Sequence, residues 1–309
     1  MRLGLDVGGT KTDAVAVAPN GTIVARTRLA TGWGPDAVVQ TILAAVSSLQ
    51  ADPALTAADV RSVGIGIPGR IEPGSGRVEH AVNLGVETLD LAAAVAPVLG
   101  VPVRVENDVK AAALGAASLR GGTLSMGYLN LGTGIAAAIV TGGVLWRGAR
   151  GGAGEIGHLS IDPAGPVCRC GQRGCIEALA GGGAVSARWG RPGALPIRDV
   201  FDAADGGDAA AVLVRTDLAR GVAAAIRVLV LTADVDTVVL GGGITALGTR
   251  LQSEVAAQLE ASARESAFLR SLQLVDRVEI LPAGAPAAAL GAALIGTEAA
   301  DEREVLSHG

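Results

Sequence analysis

All three cysteines of the chain lie close together, and a histidine precedes them. Cys168, Cys170 and Cys175 fall within eight residues, and His158 lies ten residues before the first of them. One histidine and three thiolates suit tetrahedral Zn²⁺, and the glycines between these residues permit sharp turns. The alternative, three free thiols crowded by chance, is disfavoured by the spacing. Four protein ligands leave no open coordination position, so we expect a structural and not a catalytic zinc.

A glycine turn follows the first apolar run of the chain, and similar turns follow two later runs. The first segment, Asp6 to Lys11, contains Gly8-Gly9-Thr10, and the others are Gly132-Thr133-Gly134 and Gly241-Gly242-Gly243. Glycines after a strand let backbone N–H groups approach phosphate oxygens, and a carboxylate at the strand end can hold Mg²⁺ through water. Each turn taken by itself is about equally compatible with an ordinary chain reversal.

A further pattern is a strand that ends in polar residues and passes directly into a helix. Glu106, Asn107 and Asp108 end an apolar, β-branched run, and an alanine-rich segment starts at once. Asn107 or Asp108 could cap that helix. Asp108 could instead be a functional carboxylate at the carboxyl end of a strand, where α/β proteins place ligands, and the helix dipole would help to keep it ionised. The local sequence leaves both interpretations open.

One glycine pattern is rejected as a nucleotide site. Gly64 to Gly69 fits the GxGxxG spacing of dinucleotide-binding proteins. That fingerprint needs its glycines between a strand and a helix, whereas these lie within a predicted strand, and Pro68-Gly69 leads into a loop. The sequence also lacks the GxxxxGKS/T pattern of P-loop enzymes. We therefore expect neither a Rossmann site nor a P-loop.

The elements that must position these residues are predicted from apolar periodicity. The strand–turn–strand unit around Gly8-Gly9-Thr10 has a counterpart around Gly132-Thr133-Gly134. This repeat at long period indicates two related α/β domains that face each other, each with a glycine turn for a ligand. Helices are predicted at Pro35–Leu49, Leu213–Ala233, Thr249–Ser266 and Pro286–Ala299. Strands are predicted at Arg2–Val7, Ala14–Ala18, Ile23–Leu29, Val63–Ile67, Val101–Glu106, Gly127–Leu131, Ile135–Val140, Val144–Arg147, Asp236–Leu240 and Arg277–Leu281.

Composition narrows the class of protein. The 309 residues suggest one large or two ordinary domains, and half of them are hydrophobic although only 2% are aromatic. With a net charge of −5 and no block of Lys or Arg, a nucleic-acid surface is not expected. Two long uncharged stretches, 124–146 and 280–297, contain the glycines and polar residues or prolines of buried strands and turns, so no membrane span is expected. With no recognisable signal peptide, we expect a cytoplasmic protein whose cysteines do not form disulfides.

Taken in order along the chain, these motifs resemble those of the ROK family, which contains sugar kinases and sugar-responsive repressors. The motifs span nearly the whole chain. The cysteine cluster with its upstream EIGH is the most specific of them, and the glycine turns are much less specific. The matching segments are DVGGTK at 6–11, VEND at 105–108, GTG at 132–134, EIGH at 155–158, CRCGQRGCIE at 168–177 and GGG at 241–243.

The resemblance implies an actin-like, hexokinase-like α/β fold, in which two ribonuclease-H-type domains are duplicated and the active site lies in the cleft between them. We place the smaller N-terminal domain at residues 1–117 plus 290–309. The larger domain, with the zinc-binding loop, is placed at 118–289. Family members are commonly homodimers or larger homo-oligomers, so the same is expected here.

The resemblance also implies that the chain phosphorylates a sugar with ATP and Mg²⁺. The family's catalytic base falls on Asp108. Its zinc ligands fall on His158, Cys168, Cys170 and Cys175. Its phosphate-binding positions correspond to Asp6, Gly8, Gly9, Thr10, Lys11, Thr133 and Gly134, and the adenosine end to Gly242 and Gly243. Its sugar-binding positions fall on Asn83, Asn107, Asp108, Glu155, His158 and Glu177.

The identity of the sugar is less well specified. Family glucokinases often carry a tryptophan shortly after an asparagine–leucine pair, but here Asn83-Leu84 is followed by Gly85-Val86-Glu87. We therefore favour N-acetyl-D-glucosamine slightly over glucose, with phosphorylation at the 6-hydroxyl; other hexoses and N-acetylhexosamines are further alternatives. A sugar-responsive repressor is a remote alternative, because family repressors carry a helix-turn-helix before the DVGGT-type segment and often lose the catalytic aspartate. Asp108 also disfavours a zinc-bearing binding protein without catalytic activity.

Overall fold

The computed structural model describes residues 1–55, 60–122 and 125–296. Within these ranges, no helix combines the length and the apolar character that a membrane crossing requires. The sequence predictions for residues beyond 296, including the end of the closing helix and the polar tail, lie outside the described residues.

Strands and helices alternate along the chain, as expected for an α/β protein. The strands are β1 (Arg2–Val7), β2 (Lys11–Val17), β3 (Ile23–Ala30), β4 (Ser62–Ile67), β5 (Arg70–Ile71), β6 (Arg77–Ala81), β7 (Val86–Asp90), β8 (Val103–Asn107), β9 (Met126–Leu131), β10 (Ile135–Thr141), β11 (Val144–Leu145), β12 (Thr237–Gly241) and β13 (Val278–Ile280). The helices are α1 (Pro35–Gln50), α2 (Leu91–Leu99), α3 (Asp108–Leu119), α4 (Ile176–Ala180), α5 (Gly182–Trp189), α6 (Pro196–Asp205), α7 (Ala209–Ala233), α8 (Thr249–Glu265), α9 (Ala267–Ser271) and α10 (Ala287–Ile295). Short 3₁₀ turns lie at Val82–Leu84, Ile156–His158 and Gly243–Leu247.

Two five-stranded sheets share one topology. Their strand orders are β3-β2-β1-β4-β8 and β11-β10-β9-β12-β13. In the first sheet, β1 is antiparallel to β2 and parallel to β4. In the second, β9 is antiparallel to β10 and parallel to β12. The duplication indicated by the sequence repeat is therefore confirmed, and each copy is an α/β fold of the predicted class.

The described residues divide into two compact units. The first comprises residues 1–122, 143–153 and 286–296, and the second comprises 125–142 and 154–285. Segment 143–153, which the sequence analysis places in the larger domain, thus groups with the first unit by its contacts. The domain boundaries at 117/118 and 289/290 stay a prediction.

The first unit packs helices on both faces of its sheet. Leu5 of β1 and Ile65 of β4 lie in a fully buried cluster with Ile42 of α1. On the opposite face, Gly64 lets α10 approach the strand backbone, because a Cβ atom on residue 64 would lie only 1.7 Å from the carbonyl oxygen of Ala292. The richness in glycine and alanine thus produces packing of backbone against backbone.

The glycines of the rejected dinucleotide pattern lie where the sequence analysis predicts. Gly64 and Gly66 lie inside β4, and Gly69 makes the following turn with a φ of +103°. This turn leads into β5, not into a helix. The local structure therefore lacks the strand-to-helix turn of a Rossmann site.

The second unit has a core of its own, in which its sheet packs against α7. Leu129 and Leu131 of β9 and Leu240 of β12 are fully buried, and they cluster with Ile226 of α7. Helix α7 begins after Asp208, whose carboxylate accepts hydrogen bonds from two backbone N–H groups of the first turn. This N-cap explains why the helix begins four residues before the predicted start.

Sequence periodicity does not predict the small third sheet, β5-β6-β7. Its strands contain two to five residues, and charged side chains interrupt them. Strands this short carry too few apolar positions for a recognisable alternation. The turn between β6 and β7 carries Asn83, so this unpredicted sheet positions one of the candidate residues.

Candidate active site and metal site

The candidate residues are distributed over both units. The first unit contains Asp6, Gly8, Gly9, Thr10, Lys11, Asn83, Asn107 and Asp108. The second contains Thr133, Gly134, Glu155, His158, Cys168, Cys170, Cys175, Glu177, Gly242 and Gly243. Within each unit, the fold brings together several residues that are far apart in the sequence.

Asn107, and not Asp108, is the N-cap of α3. The Asn107 Oδ1 atom accepts hydrogen bonds from the backbone N–H groups of Val109 at 3.0 Å and Lys110 at 3.3 Å. Its Nδ2 atom donates to the carbonyl of Gly69 at 3.2 Å. Asp108 is the first residue of the helix, and its carboxylate also accepts from Val109 N–H, at 2.9 Å. Of the two alternatives left open by the sequence, the structure therefore assigns the cap to Asn107.

Asp6 of β1 and Asp108, the residue that follows β8, lie near the same end of the first sheet, where β4 separates the two strands. Gly66 of β4 pairs with Asp6 on one side and with Glu106 on the other. A Cβ atom on residue 66 would lie 3.6 Å from the Cα atom of Asp108. Burial, together with the charges of Asp108 and Asp13, raises the pKa of Asp6 to about 7. A buried carboxyl group that resists ionisation beside other carboxylates suits a divalent cation, so the residues present fit Mg²⁺.

The first glycine turn presents an exposed backbone directly after β1. The N–H of Gly8 donates to the carbonyl of Lys11 at 2.9 Å, which closes the turn. Gly9 and Thr10 are exposed. A Cβ atom on residue 9 would lie 2.8 Å from the carbonyl oxygen of Asn83, so the turn and Asn83 are neighbours. Asn83 itself is exposed, and the structure thus places two of the predicted ligand-binding segments side by side.

Glu106, which is not among the candidate residues predicted from the sequence, occupies the centre of a buried polar cluster. Only 7% of this residue is exposed. Its Oε1 atom accepts from Asn107 N–H at 2.9 Å, and its Oε2 atom accepts from Arg147 Nε at 2.8 Å. Lys110, which is also buried, donates to the carbonyl of Gly151. The residues two positions before and after Asp108 therefore hold segment 143–153, and only the place of Glu106 in the VEND run hinted at this.

In the second unit, Glu177 holds the glycine turn after β9. Its Oε2 atom accepts from the backbone N–H of Ile135 at 2.9 Å. A Cβ atom on residue 134 would lie 2.5 Å from the same oxygen, so any larger residue there would displace the Glu177 carboxylate. The N–H groups of Gly182 and Gly183 donate to the carbonyls of Gly132 and Thr133, both at 2.9 Å. These two hydrogen bonds therefore hold the turn against the start of α5.

Gly242 approaches the end of β9 closely. It has a φ of +88°, and a Cβ atom on residue 242 would lie 2.5 Å from the carbonyl oxygen of Leu131. Gly243 is exposed and has open space where a side chain would be. The third glycine run therefore lies beside the strand that leads into the Gly132–Gly134 turn, with its backbone accessible.

The four predicted zinc ligands converge in the second unit. The ligand atoms of His158, Cys168, Cys170 and Cys175 all lie within 4.8 Å of one another. The distance from Cys168 Sγ to His158 Nδ1 is 3.7 Å, and so is that from Cys170 Sγ to Cys175 Sγ. A tetrahedral zinc with Zn–S bonds of about 2.3 Å requires ligand separations of about 3.8 Å, and a disulfide about 2.05 Å. The three cysteines are free, and the geometry fits Zn²⁺.

The surroundings of the sulfur atoms differ. The backbone N–H of Gln172, assisted by its side chain, lowers the pKa of Cys170 to about 6. Burial raises the pKa of Cys175 to about 12. A bound Zn²⁺ would deprotonate the thiols, because it binds thiolates. Gln172 also donates to the carbonyl of His158 at 3.2 Å, so it links two parts of the loop.

The 3₁₀ turn with Glu155 and His158 packs on the start of β10. A Cβ atom on residue 157 would lie 2.0 Å from the carbonyl oxygen of Ile135. Ile135 directly follows the Gly132–Gly134 turn and bonds to Glu177. The metal loop and the second glycine turn therefore belong to one packed body within this unit.

A duplicated α/β fold with a glycine turn after the first strand of each sheet is the architecture of actin-like, hexokinase-like proteins. Comparison with known proteins narrows this class to one family. A model of the ROK family matches residues 2–298. The chain belongs to the ROK family, as its motifs predict.

Individual relatives within this family include two kinases. The chain is 31% identical over 282 residues to a glucokinase of Halalkalibacterium halodurans, and the aligned region covers 84% of this chain and 86% of the relative. It is 34% identical over 253 residues to an N-acetylmannosamine kinase of Escherichia coli, and the aligned region covers 78% of this chain and 82% of the relative. Among solved structures, a ROK-family glucokinase from Streptomyces griseus in complex with glucose and AMPPNP has a TM-score of 0.75 at 29% identity, covering 96% of this chain and 98% of that chain.

Proposed function

We propose that the chain transfers the terminal phosphoryl group of ATP to the 6-hydroxyl of a hexose, with Asp108 as the base that accepts the hydroxyl proton. At the coarser level, the chain is an ATP-dependent sugar kinase. The observation that carries the finer proposal is the position of Asp108 at the carboxyl end of β8, where Asn107 supplies the helix cap. The carboxylate of Asp108 is thus not needed as the cap, and it lies where α/β folds bind ligands.

The proposed chemistry follows from the reactants. A sugar hydroxyl is a poor nucleophile, and a carboxylate within hydrogen-bonding reach accepts its proton as the oxygen–phosphorus bond forms. Phosphoryl transfer otherwise depends mainly on positioning and on neutralising the charge of the phosphates. Mg²⁺ bound with ATP supplies part of that neutralisation, and we propose that Asp6 holds it through water.

Backbone groups complete the proposed nucleotide site. Gly8, Gly9 and Thr10, with Lys11 beside them, and Thr133 with Gly134 are proposed to bind phosphate oxygens through N–H groups and hydroxyls. Gly242 and Gly243 are proposed to lie against the adenosine. The support is that Gly9, Thr10, Thr133 and Gly243 are exposed, whereas the strands that precede these turns are largely buried.

We propose that Asn83, Asn107, Asp108, Glu155, His158 and Glu177 contact the sugar. His158 can act both as a zinc ligand and as a sugar contact, because its Nδ1 atom faces Cys168 and its Nε2 atom is a separate hydrogen-bonding group. For Asn107 and Glu177, the bonds described above also position Asp108 and the second glycine turn, respectively. Zinc held by His158, Cys168, Cys170 and Cys175 would keep this loop rigid.

The substrate that we propose is N-acetyl-D-glucosamine, with D-glucose and other hexoses or N-acetylhexosamines as alternatives. The named relatives, a glucokinase and an N-acetylmannosamine kinase, support both substrate groups. The preference rests on the missing tryptophan after Asn83-Leu84. We further propose a homodimer or larger homo-oligomer in the cytoplasm, where ATP is available and where free thiols such as these three cysteines persist.

The decisive experiment is a coupled ADP-release assay over a panel of hexoses and N-acetylhexosamines. Asp108→Asn is expected to reduce turnover by at least a hundredfold with the preferred sugar, with zinc content and melting temperature retained. Asp276→Asn is the matched control, because Asp276 is exposed and lies outside the proposed site. Retention of more than a few per cent of activity in Asp108→Asn would remove Asp108 from the role of base.

The same panel tests the remote alternative. A sugar-responsive regulator would bind a sugar without releasing ADP. Isothermal titration with each sugar in the absence of ATP separates the two functions, because binding without turnover in the wild-type chain would contradict the kinase proposal.

A further inference from the structure

Trp33 is the most exposed of the aromatic side chains that the structure describes. The chain is only 2% aromatic, yet 71% of Trp33 is exposed to solvent. Val82, which directly precedes Asn83, is 73% exposed. Leaving such apolar surface in water is unfavourable, and exposed apolar surface beside polar groups is typical of a binding site.

The indole is exposed but held in place. The N–H of Gly34, the residue after Trp33, donates to the carbonyl of Leu84 at 2.8 Å. The ring packs on Gly85, since a Cβ atom on residue 85 would lie 2.6 Å from both the Cε2 and Nε1 atoms of Trp33. Gly85 also has a φ of +68°, which disfavours any other residue. One part of the ring is therefore fixed against the backbone, and the remainder stays accessible.

The accessible indole lies in the neighbourhood of the first glycine turn. Asn83 lies in the 3₁₀ turn Val82–Leu84, which ends directly before Gly85. Gly9 lies against the carbonyl of Asn83. On the other side, the backbone N–H of Thr31, which lies two residues before Trp33, donates to the carbonyl of Thr10 at 3.1 Å. Trp33, Asn83 and the glycine turn thus belong to one connected surface patch within the first unit.

This combination of groups matches the chemistry of a pyranose. A sugar ring carries hydroxyls at its rim, which need hydrogen-bonding partners such as an asparagine amide. It also carries a face of C–H groups, which packs well on a flat aromatic ring. Ligand sites generally combine apolar and aromatic walls with a few placed polar groups. A phosphate or Mg²⁺ would gain nothing from the indole.

We infer that Trp33 is a specificity-determining residue, whose indole forms an apolar wall for the hexose bound at Asn83. This inference rests on the proposed sugar-kinase function and adds to it a residue outside the motifs that resemble the family. Because the ring is already fixed on Gly85, little side-chain entropy is lost when the sugar binds.

The kinetic test compares Trp33→Ala and Trp33→Phe with the wild type. Trp33→Ala is expected to raise the KM for the sugar about tenfold, with the KM for ATP changed less than twofold, because one stacking contact is worth about 1.4 kcal/mol. Trp33→Phe should recover most of the loss, since it restores an aromatic face. Phe268→Ala is the matched control, because Phe268 is 63% exposed but lies on α9 in the second unit.

A binding measurement separates this inference from the proposed reaction. Tryptophan fluorescence of the whole chain is titrated with each sugar of the panel in the absence of ATP. A sugar-dependent signal that Trp33→Phe abolishes, while Trp146 and Trp189 still fluoresce, would support contact with the indole. The signal should persist in Phe268→Ala, which keeps the Trp33 indole and changes an exposed side chain of the second unit.

Two results would overturn the inference. In the first, the wild type phosphorylates a sugar but Trp33→Ala leaves its KM and the binding signal unchanged. In the second, the KM for ATP rises in place of that for the sugar, which would assign the indole to the nucleotide. A lack of turnover with every sugar contradicts the proposed function instead, and the fluorescence titration still decides whether Trp33 contacts a sugar.

Discussion

The buried carboxylate of Glu106 joins Arg147 to the backbone of Asn107. The Arg147 Nε atom donates to one oxygen of Glu106 at 2.8 Å, and the N–H of Asn107 donates to the other at 2.9 Å. Only 10% of the Glu106 side chain and 30% of the Arg147 side chain are exposed. Removing one member leaves the other charge poorly solvated, so the pair positions the end of β8 immediately before Asp108.

Breaking this pair is expected to reduce both stability and catalysis. Arg147→Met should lower the free energy of unfolding by about 2 kcal/mol, because Glu106 loses its partner while remaining buried. We also expect kcat to fall while the KM for ATP stays nearly constant, since the change displaces Asp108 and not the glycine turn. Chemical denaturation and steady-state kinetics measure the two effects.

A double-mutant cycle shows whether the two residues act through each other. Glu106→Gln combined with Arg147→Met should cost less stability than the sum of the single changes, because no unpaired charge remains. Strictly additive losses of stability and of kcat would contradict the coupling.

Loss of one cysteine should release the metal. Cys175→Ser is expected to abolish zinc binding and to lower the melting temperature strongly, because a structural zinc site contributes on the order of 10 kcal/mol. Elemental analysis of the wild type should find about one zinc per chain. Gln172→Ala, which removes hydrogen bonds to Cys170 and His158 but no ligand, should retain one zinc with an affinity about tenfold lower. Full zinc content in Cys175→Ser would rule out the assigned ligand set.

The pKa of Asp6 predicts a specific dependence of stability on pH. Burial, with Asp108 and Asp13 nearby, raises this pKa from 3.8 to about 7. The folded chain therefore retains a proton that the unfolded chain releases above pH 4. The resulting stabilisation is complete below about pH 4 and is lost as the pH rises through about 7.

Asp6→Asn is expected to remove this dependence. At pH 8 without Mg²⁺, the variant should be more stable than the wild type by on the order of 4 kcal/mol, and at pH 4 the difference should vanish. Thermal denaturation at several pH values measures both curves, and parallel curves would show that Asp6 titrates normally. Added Mg²⁺ should stabilise the wild type at pH 8 more than it stabilises Asp6→Asn.

Close packing of α3 on α10 supplies a further prediction. A Cβ atom on residue 115 would lie 1.8 Å from the carbonyl oxygen of Ala287. Gly115→Ala should therefore destabilise the chain by about 3 kcal/mol, because neither backbone can shift without separating the helices. Gly152→Ala is the control, since no atom lies within 4 Å of the position its Cβ would take. Chemical denaturation measures the difference, and an equal, small effect of both changes would show that the helices can separate at low cost.

Four of the strands that lead to or flank candidate residues were predictable from the sequence. Strands β1, β4, β9 and β12 lie within one residue of their predicted bounds, because each is a continuous apolar run between turn residues. The motif order was sufficient to predict the ROK family and its duplicated fold. The apolar periodicity of the sequence does not predict β5 to β7, because these short strands are stabilised by pairing with one another and not by a periodic apolar face.

The sequence by itself thus determined the family, the duplicated α/β architecture and the set of candidate ligands, because residue type and spacing are enough for these. Only the tertiary structure decided that Asn107 caps α3, that Glu106 pairs with Arg147 and that Trp33 packs on Gly85. The first is a choice between adjacent side chains of similar capping propensity, and it depends on their orientation at the strand end. The other two join residues 41 and 52 positions apart, and such contacts arise only when packing brings distant segments together.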